Sequence, residues 1–326
     1  MSTKIKIVVI LGPTAVGKTS AALALAPFFN GEIIGADSMQ VYRYMNIGTA
    51  KPTEEERKRI THHLIDVADP DETYSAARFA DEAHGCIEAI AKKSKIPFIV
   101  GGTGLYIDSL LGGLLDGPPA DHELRTEYKK LLSRYGSGYL HQLLARRDKI
   151  SAAKIHPHDS TRVIRALEVF EHTGTSIVTR QREQAFGDER YQYIKIGLNM
   201  ERSLLFEKIE QRTSRMIREG LVEEVESLIE RNYKETCAPL QSFNYRTVIE
   251  HLKGAHTVEN MEGIISRDTR HYAKRQLAWF KRDSRILWFN PDEISGIEKE
   301  IEYFLRNSRS MKKDGCREER SCQNTS

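Results

Sequence analysis

A chain of 326 residues, 40% apolar and 29% charged, lies in the globular range and can bury a full core plus a second module. Its net charge of +3 is no bulk signature of a nucleic-acid partner, since residues 306–326 hold six basic and three acidic side chains and carry that whole excess. No apolar run reaches the roughly 18 to 20 residues that span a bilayer, so a cytoplasmic protein without signal peptide is expected. Any basic surface must come from local clustering.

Residues 5–11 (IKIVVIL) form a nearly continuous β-branched run, as expected of a strand buried on both faces of a parallel sheet. Residues 32–36 and 97–100 repeat the pattern of a short apolar strand followed by glycine or a polar turn, and helical stretches at 18–29 and 75–93 separate them. The alternation predicts an α/β fold with an open, mostly parallel sheet flanked by helices, whose ligands bind beyond the carboxyl ends of the strands. After residue 115 the character changes. A proline-containing turn at 116–120 opens a charged, helix-forming stretch that reads as an inserted all-helical module spanning 116–189.

The segment 191–198 (YQYIKIGL) returns the chain to the sheet, long amphipathic helices are expected at 201–232 and 261–282, and 286–290 (ILWFN) reads as a late strand. The core is thus assigned to 1–115 and 190–305, with a disordered tail expected over 306–326. Cys86, Cys237, Cys316 and Cys322 lack paired C-x-x-C spacing, so free thiols are expected instead of a zinc site or redox dithiol.

The strongest chemical signal is Gly12, Pro13, Thr14, Ala15, Val16, Gly17, Lys18 and Thr19, a G-x-x-x-x-G-K-T loop between the first strand and a helix. Backbone N–H groups and the helix N-terminus can wrap a diphosphate, Lys18 adds a point charge, and the Thr19 hydroxyl can hold Mg²⁺. Kinases, NTPases and transferases share this P-loop, so it does not choose the ligand. Asp37 follows the 32–36 strand and should lie beside the loop, where it can act as a base, bind Mg²⁺ through water or contact a ribose.

The segment from Asp37 through Ser38, Met39, Gln40 and Val41 to Arg43, followed by Met45 to Pro52 (MNIGTAKP), resembles the hallmark of tRNA dimethylallyltransferases. The runs HHLID (62–66), VGGTGLY (100–106) and AKRQLAWF (273–280) are similar to further family segments, all in the expected order, and the resemblance covers about residues 5–290. It implies a P-loop NTPase-like core and transfer of a dimethylallyl group from its diphosphate to the N6 amine of adenosine 37 in tRNAs reading codons that begin with U. It makes Asp37 the general base, Thr103 its catalytic partner and Arg212 a diphosphate ligand beside the P-loop, with Mg²⁺ as cofactor. A monomer is expected.

The same resemblance points to tRNA contacts at Asp37, Ser38, Met39, Gln40 and Thr103, at Thr161, Arg162, Val163, Ile164 and Arg165 in the module, and at Gln241, Ser242, Phe243, Asn244, Tyr245 and Arg246. Asn244 stands where the family usually has glycine, and Asn is the non-glycine residue that best tolerates a left-handed turn. Arg267, Arg270, Lys274 and Lys281 share one helical face, which fits either RNA phosphates or solvent. Competing readings are an adenylate isopentenyltransferase acting on free AMP, ADP or ATP, against which the module argues, and a P-loop small-molecule kinase. A non-catalytic RNA-binding protein would have no use for the phosphate loop.

Overall fold

The computed structural model describes residues 4–112, 118, 120–184 and 190–307. Strand β1 (Lys6–Leu11) is buried from Ile7 onward, as its β-branched run requires. The glycine-rich loop then leads into α1 (Lys18–Phe28), followed by β2 (Gly31–Gly35), α2 (Glu54–Arg59), β3 (His62–His63), α3 (Ala76–Lys92), β4 (Ile96–Gly101) and α4 (Gly104–Gly112). Four helices come next: α5 (His122–Arg147), α6 (Lys149–Ala152), α7 (Ser160–Thr173) and α8 (Ile177–Gln184). The chain re-enters the sheet with β5 (Gln192–Leu198) and continues through α9 (Arg202–Arg218), α10 (Leu221–Glu230), α11 (Phe243–Leu252), α12 (Val258–Phe280), β6 (Ile286–Phe289) and α13 (Ile294–Arg306).

Among the described residues the six strands form one all-parallel sheet in the order β3-β2-β4-β1-β5-β6. Side chains alternate between its two faces. Ile7, Val9 and Leu11 of β1 pack in the cluster that includes α3, α10 and α11, while Val8 and Ile10 pack with α1 and α13. The register aligns Leu11 with Gly101 and Gly35 with Val100. Segments leaving β1, β2 and β4 therefore emerge side by side at one edge, where a parallel sheet places its ligand crevice.

The module stands on its own small core, in which Tyr128, Leu140 and Leu144 of α5 meet Val163, Ile164 and Leu167 of α7. Its central polar group is Glu168, whose side chain is fully buried. Arg125 donates two hydrogen bonds of 2.8 Å to it, and Arg165 and the Asp121 N–H complete the set. Burial of a carboxylate is tolerated because each lone pair has a donor. Both ends of the expected module, the 116–120 turn apart from residues 118 and 120, and the tail from 308 lie outside the described residues, as do Cys316 and Cys322.

Two expectations need correction. The single helix expected over 201–232 is two helices, because Gly220 takes φ 101, a left-handed backbone that ends α9 and starts α10 at a new angle. The left-handed turn expected at Asn244 is absent: Asn244 lies in the first turn of α11, and Ser242 at the N-cap has the extended backbone. Elements β3 and α2 were not anticipated, the first being two residues long and the second being built wholly of charged residues behind a Thr53/Glu56 capping box.

Glu32, the second residue of β2, has its side chain 2% exposed and carries the partners His63, Lys93 and Lys95. Burial alone would raise its pKa, but the hydrogen bonds from Lys95, His63 and Lys93 outweigh that and hold it at about 2. A carboxylate depressed in the folded state contributes stability above its unfolded pKa and loses it as pH falls toward the folded value. Since the partner side chains are themselves half-exposed, the contribution is roughly 2 kcal/mol. Replacing Glu32 by Gln should lower the melting temperature at pH 7 and flatten its acid dependence between about pH 4.5 and 2, read by thermal unfolding across that window.

Candidate active site

The loop after β1, the turn after β2, the end of β4 at Val100 and Gly101, the 46–57 segment and one side of α9 enclose a groove of about 920 Å³. Thr14, Ala15, Gly17, Lys18 and Thr19 line it; Val16 points into the core instead. Lys18 Nζ donates 2.7 Å to the Pro13 carbonyl, which folds the lysine back over its own loop. Burial lowers the Lys18 pKa to about 8, with the Asp37 charge opposing the shift and the Arg212 charge adding to it. Arg212 reaches in from α9 and donates 3.0 Å from Nη1 to the Thr14 hydroxyl, so two cations flank the phosphate loop.

Asp37 leaves β2 at the same edge and also lines the groove. Its Oδ1 accepts from the backbone N–H groups of Met39 (2.9 Å) and Gln40 (3.3 Å), which fixes the carboxylate against its own turn. Thr103 follows β4: its N–H donates to Ala36 O at 3.2 Å, and its hydroxyl accepts from Ser38 N at 3.0 Å. The two expected catalytic residues are thus stitched together by adjacent backbone.

Two further side chains complete this centre. Gln276 of α12 is buried, accepts from Thr14 N at 2.8 Å and donates to Gly102 O at 2.8 Å, joining the phosphate loop to the Thr103 turn. Tyr272, one turn earlier, sits with Thr103 and Gln276 adjoining its hydroxyl; burial, then the Asp37 charge, pushes its pKa up. Sequence reading assigned neither residue a role. The signal was a polar amide on the apolar face that Ala273, Gln276 and Phe280 form on α12.

The sequence model of the family described as IPP transferase matches residues 40–283. The chain belongs to the IPP transferase family. It is 48% identical over 303 residues to tRNA dimethylallyltransferase 2 of Syntrophus aciditrophicus, covering 93% of this chain and 97% of the relative. The tRNA dimethylallyltransferase of Geobacter metallireducens is 45% identical over 285 residues, 87% of this chain and 92% of its own. Among solved structures, the tRNA isopentenylpyrophosphate transferase of Bacillus halodurans is 39% identical and superposes with a TM-score of 0.70 over 94% of this chain and 98% of that one. A eukaryotic dimethylallyltransferase solved acting on tRNA superposes with a TM-score of 0.79 at 28% identity, covering 94% and 81% of the two chains.

In this IPP transferase the residues expected to meet RNA divide by exposure. Thr161 and Arg162 of α7, Gln241, Arg246, Arg267, Lys274 and Lys281 are exposed. Val163 and Ile164 are core residues of the module, and Arg165 is held by Glu168 and the Pro118 carbonyl. Tyr245 is wholly buried and donates 2.6 Å to Glu224. The side chains of Val163, Ile164 and Tyr245 thus pack in the protein interior. Arg270 is engaged too, through a 2.6 Å ion pair with Glu210 of α9.

Removing the Gln276 amide as Gln276→Leu leaves the Thr14 N–H and the Gly102 carbonyl without their partner inside a buried contact. Affinity for inorganic diphosphate should fall about tenfold in calorimetric titration, with the fold retained. In the unaltered protein that affinity should also decline as pH rises through about 8, where Lys18 loses its proton; a flat profile across pH 7 to 9 would remove Lys18 from the binding charge.

Proposed function

We propose that this chain transfers the dimethylallyl group of dimethylallyl diphosphate to the N6 amine of adenosine 37 in tRNAs that read codons beginning with U. The observation that carries the reading is a groove lined by the phosphate loop and the Asp37 carboxylate, with the Thr103 hydroxyl bonded to the backbone of Ser38 next to that carboxylate. Family membership and relatives named tRNA dimethylallyltransferase over nearly their whole length support it.

The P-loop N–H groups, Lys18 and Arg212 receive the donor's diphosphate. As the allylic C1–O bond breaks, negative charge gathers on the leaving diphosphate, and these fixed donors and cations stabilise it. The adenine amine is a poor nucleophile because its lone pair is delocalised into the ring. Asp37 accepts its proton while nitrogen bonds to C1, leaving a secondary amine, a protonated carboxyl group and free diphosphate. With Oδ1 committed to the backbone of Met39 and Gln40, the second oxygen is the one that takes the proton. The Thr103 hydroxyl, anchored at Ser38, orients the amine.

Thr19 lies in the first turn of α1 and lines the groove beside Lys18, where its hydroxyl would help to hold Mg²⁺ next to the diphosphate. When bound there, Mg²⁺ would add charge neutralisation for the diphosphate. Exposed Arg162 and Lys274 supply cations to RNA phosphates, and the base must swing out of its loop to reach Asp37. A tRNA substrate fits a monomeric cytoplasmic enzyme, and among the described residues no helix is long and apolar enough to cross a membrane.

Incubation of the protein with an anticodon stem-loop and dimethylallyl diphosphate, followed by nucleoside mass spectrometry, should yield dimethylallyladenosine; unmodified adenosine would overturn the reading. Asp37→Asn should lower the single-turnover rate about 100-fold or more while both substrates still bind.

A further inference from the structure

The residues 46–50 form a wall of the groove and yet are held from outside it. Asn46, Ile47, Thr49, Ala50 and Lys51 line the cavity. Tyr44 and Ala50 take left-handed backbones (φ 65 and 47), which cost a non-glycine residue about 1 kcal/mol each, so the segment needs an external restraint. Glu224 of α10 provides one. Its carboxylate accepts from three consecutive backbone N–H groups, Asn46 at 2.7 Å, Ile47 at 2.7 Å and Gly48 at 3.0 Å.

Two neighbours on α11 fix that carboxylate and the loop together. The Tyr245 hydroxyl donates to Glu224 Oε1 at 2.6 Å, and Asn244 Nδ2 donates to Gly48 O at 2.8 Å. The fit is tight: a Cβ on Gly48 would stand 2.6 Å from the Tyr245 ring. From the loop the restraint runs inward. Gln40 Nε2 donates to the carbonyls of Thr49 and Ala50, both at 3.1 Å, and the Gln40 N–H is one of the two that hold Asp37 Oδ1.

We infer that Glu224, secured by Tyr245, is a positioning residue that sets the 46–50 wall and, through Gln40, the orientation of the Asp37 carboxylate toward the acceptor amine. Glu224 itself does not line the groove. The inference rests on the proposed prenyl transfer for its kinetic readout, but the hydrogen-bond route exists whatever the acceptor is. Donor binding is governed separately, since the P-loop is gripped by Gln276 and Arg212 and by none of these groups.

Glu224→Gln keeps the side chain's length but replaces one acceptor oxygen with a donor, which must face a backbone N–H or lose it. The single-turnover rate at saturating substrates should drop 10- to 100-fold, with inorganic diphosphate affinity within twofold of the unaltered protein. Amide hydrogen exchange at Asn46, Ile47 and Gly48 should accelerate while the P-loop amides keep their protection. Tyr245→Phe should give a smaller effect of the same kind, and the double variant should lose less than the product of the two, because both act through one carboxylate.

An unchanged rate in Glu224→Gln with an active parent protein overturns the inference, as does a parallel loss of diphosphate affinity, which would mark a general loosening of the fold. If Glu224→Gln does not fold, Tyr245→Phe carries the test by the same rate and exchange readouts. A parent protein without prenyl-transfer activity would sink the proposed function instead, and unaltered exchange at 46–48 would then decide against the positioning role.

Discussion

The buried amide of Gln276 is the contact on which the site depends. A parallel sheet delivers the ends of β1 and β4 to one edge as neighbours, but nothing in the strand ladder fixes how far apart the loops beyond them stand. Gln276 spans that gap with an acceptor on the Thr14 N–H and a donor on the Gly102 carbonyl. A carboxamide offers both from one planar group and carries no charge into the buried contact. The P-loop and the Thr103 turn thereby acquire a fixed separation. Bond formation between two bound substrates needs such a separation held to a fraction of an ångström.

Around that clasp, charge is arranged with a clear economy of solvent. Lys18 and Arg212, half-buried in the groove, stand near Asp37, while other cations are committed to carboxylates. Arg125 and Arg165 serve Glu168, and Lys51 together with Arg57 serves Asp66. Lys195 pairs with Asp283 at 2.6 Å and joins β5 to the segment before β6. Much of the positive charge that the sequence displays is therefore internal scaffolding, and the surface available to a polyanion is smaller than a residue count suggests.

This division explains what could be read without coordinates. The β-branched run of β1 ending at a G-x-x-x-x-G-K-T loop fixes the sheet centre and the phosphate site, because both depend on local chemistry. The edge positions of Asp37 and Thr103 follow from short strands that end in polar turns, and the structure joins them through Ser38. Arg162 and Arg165 could not be told apart, since both lie in one helical segment and only the fold shows that one faces water and the other a buried carboxylate. The break at Gly220 was hidden by amphipathic sequence on either side of it. Gln276 and Glu224 escaped for a deeper reason: their partners are backbone groups 174 to 262 residues away for the first and 176 to 178 for the second, and a backbone N–H leaves no mark in the sequence of its partner.

The phosphate loop is complete in sequence by residue 19, but its grip comes from much later in the chain. Arg212 and Gln276 lie 198 and 262 residues beyond Thr14. During synthesis, a ribosome-bound fragment ending after β5 already contains five of the six described strands and the helical module, yet lacks both side chains. Diphosphate capture is thus a late event in the life of a nascent chain. A truncated product released before α12 would carry Arg212 but an unfastened loop, and it would hold the diphosphate of the prenyl donor less tightly than the finished protein.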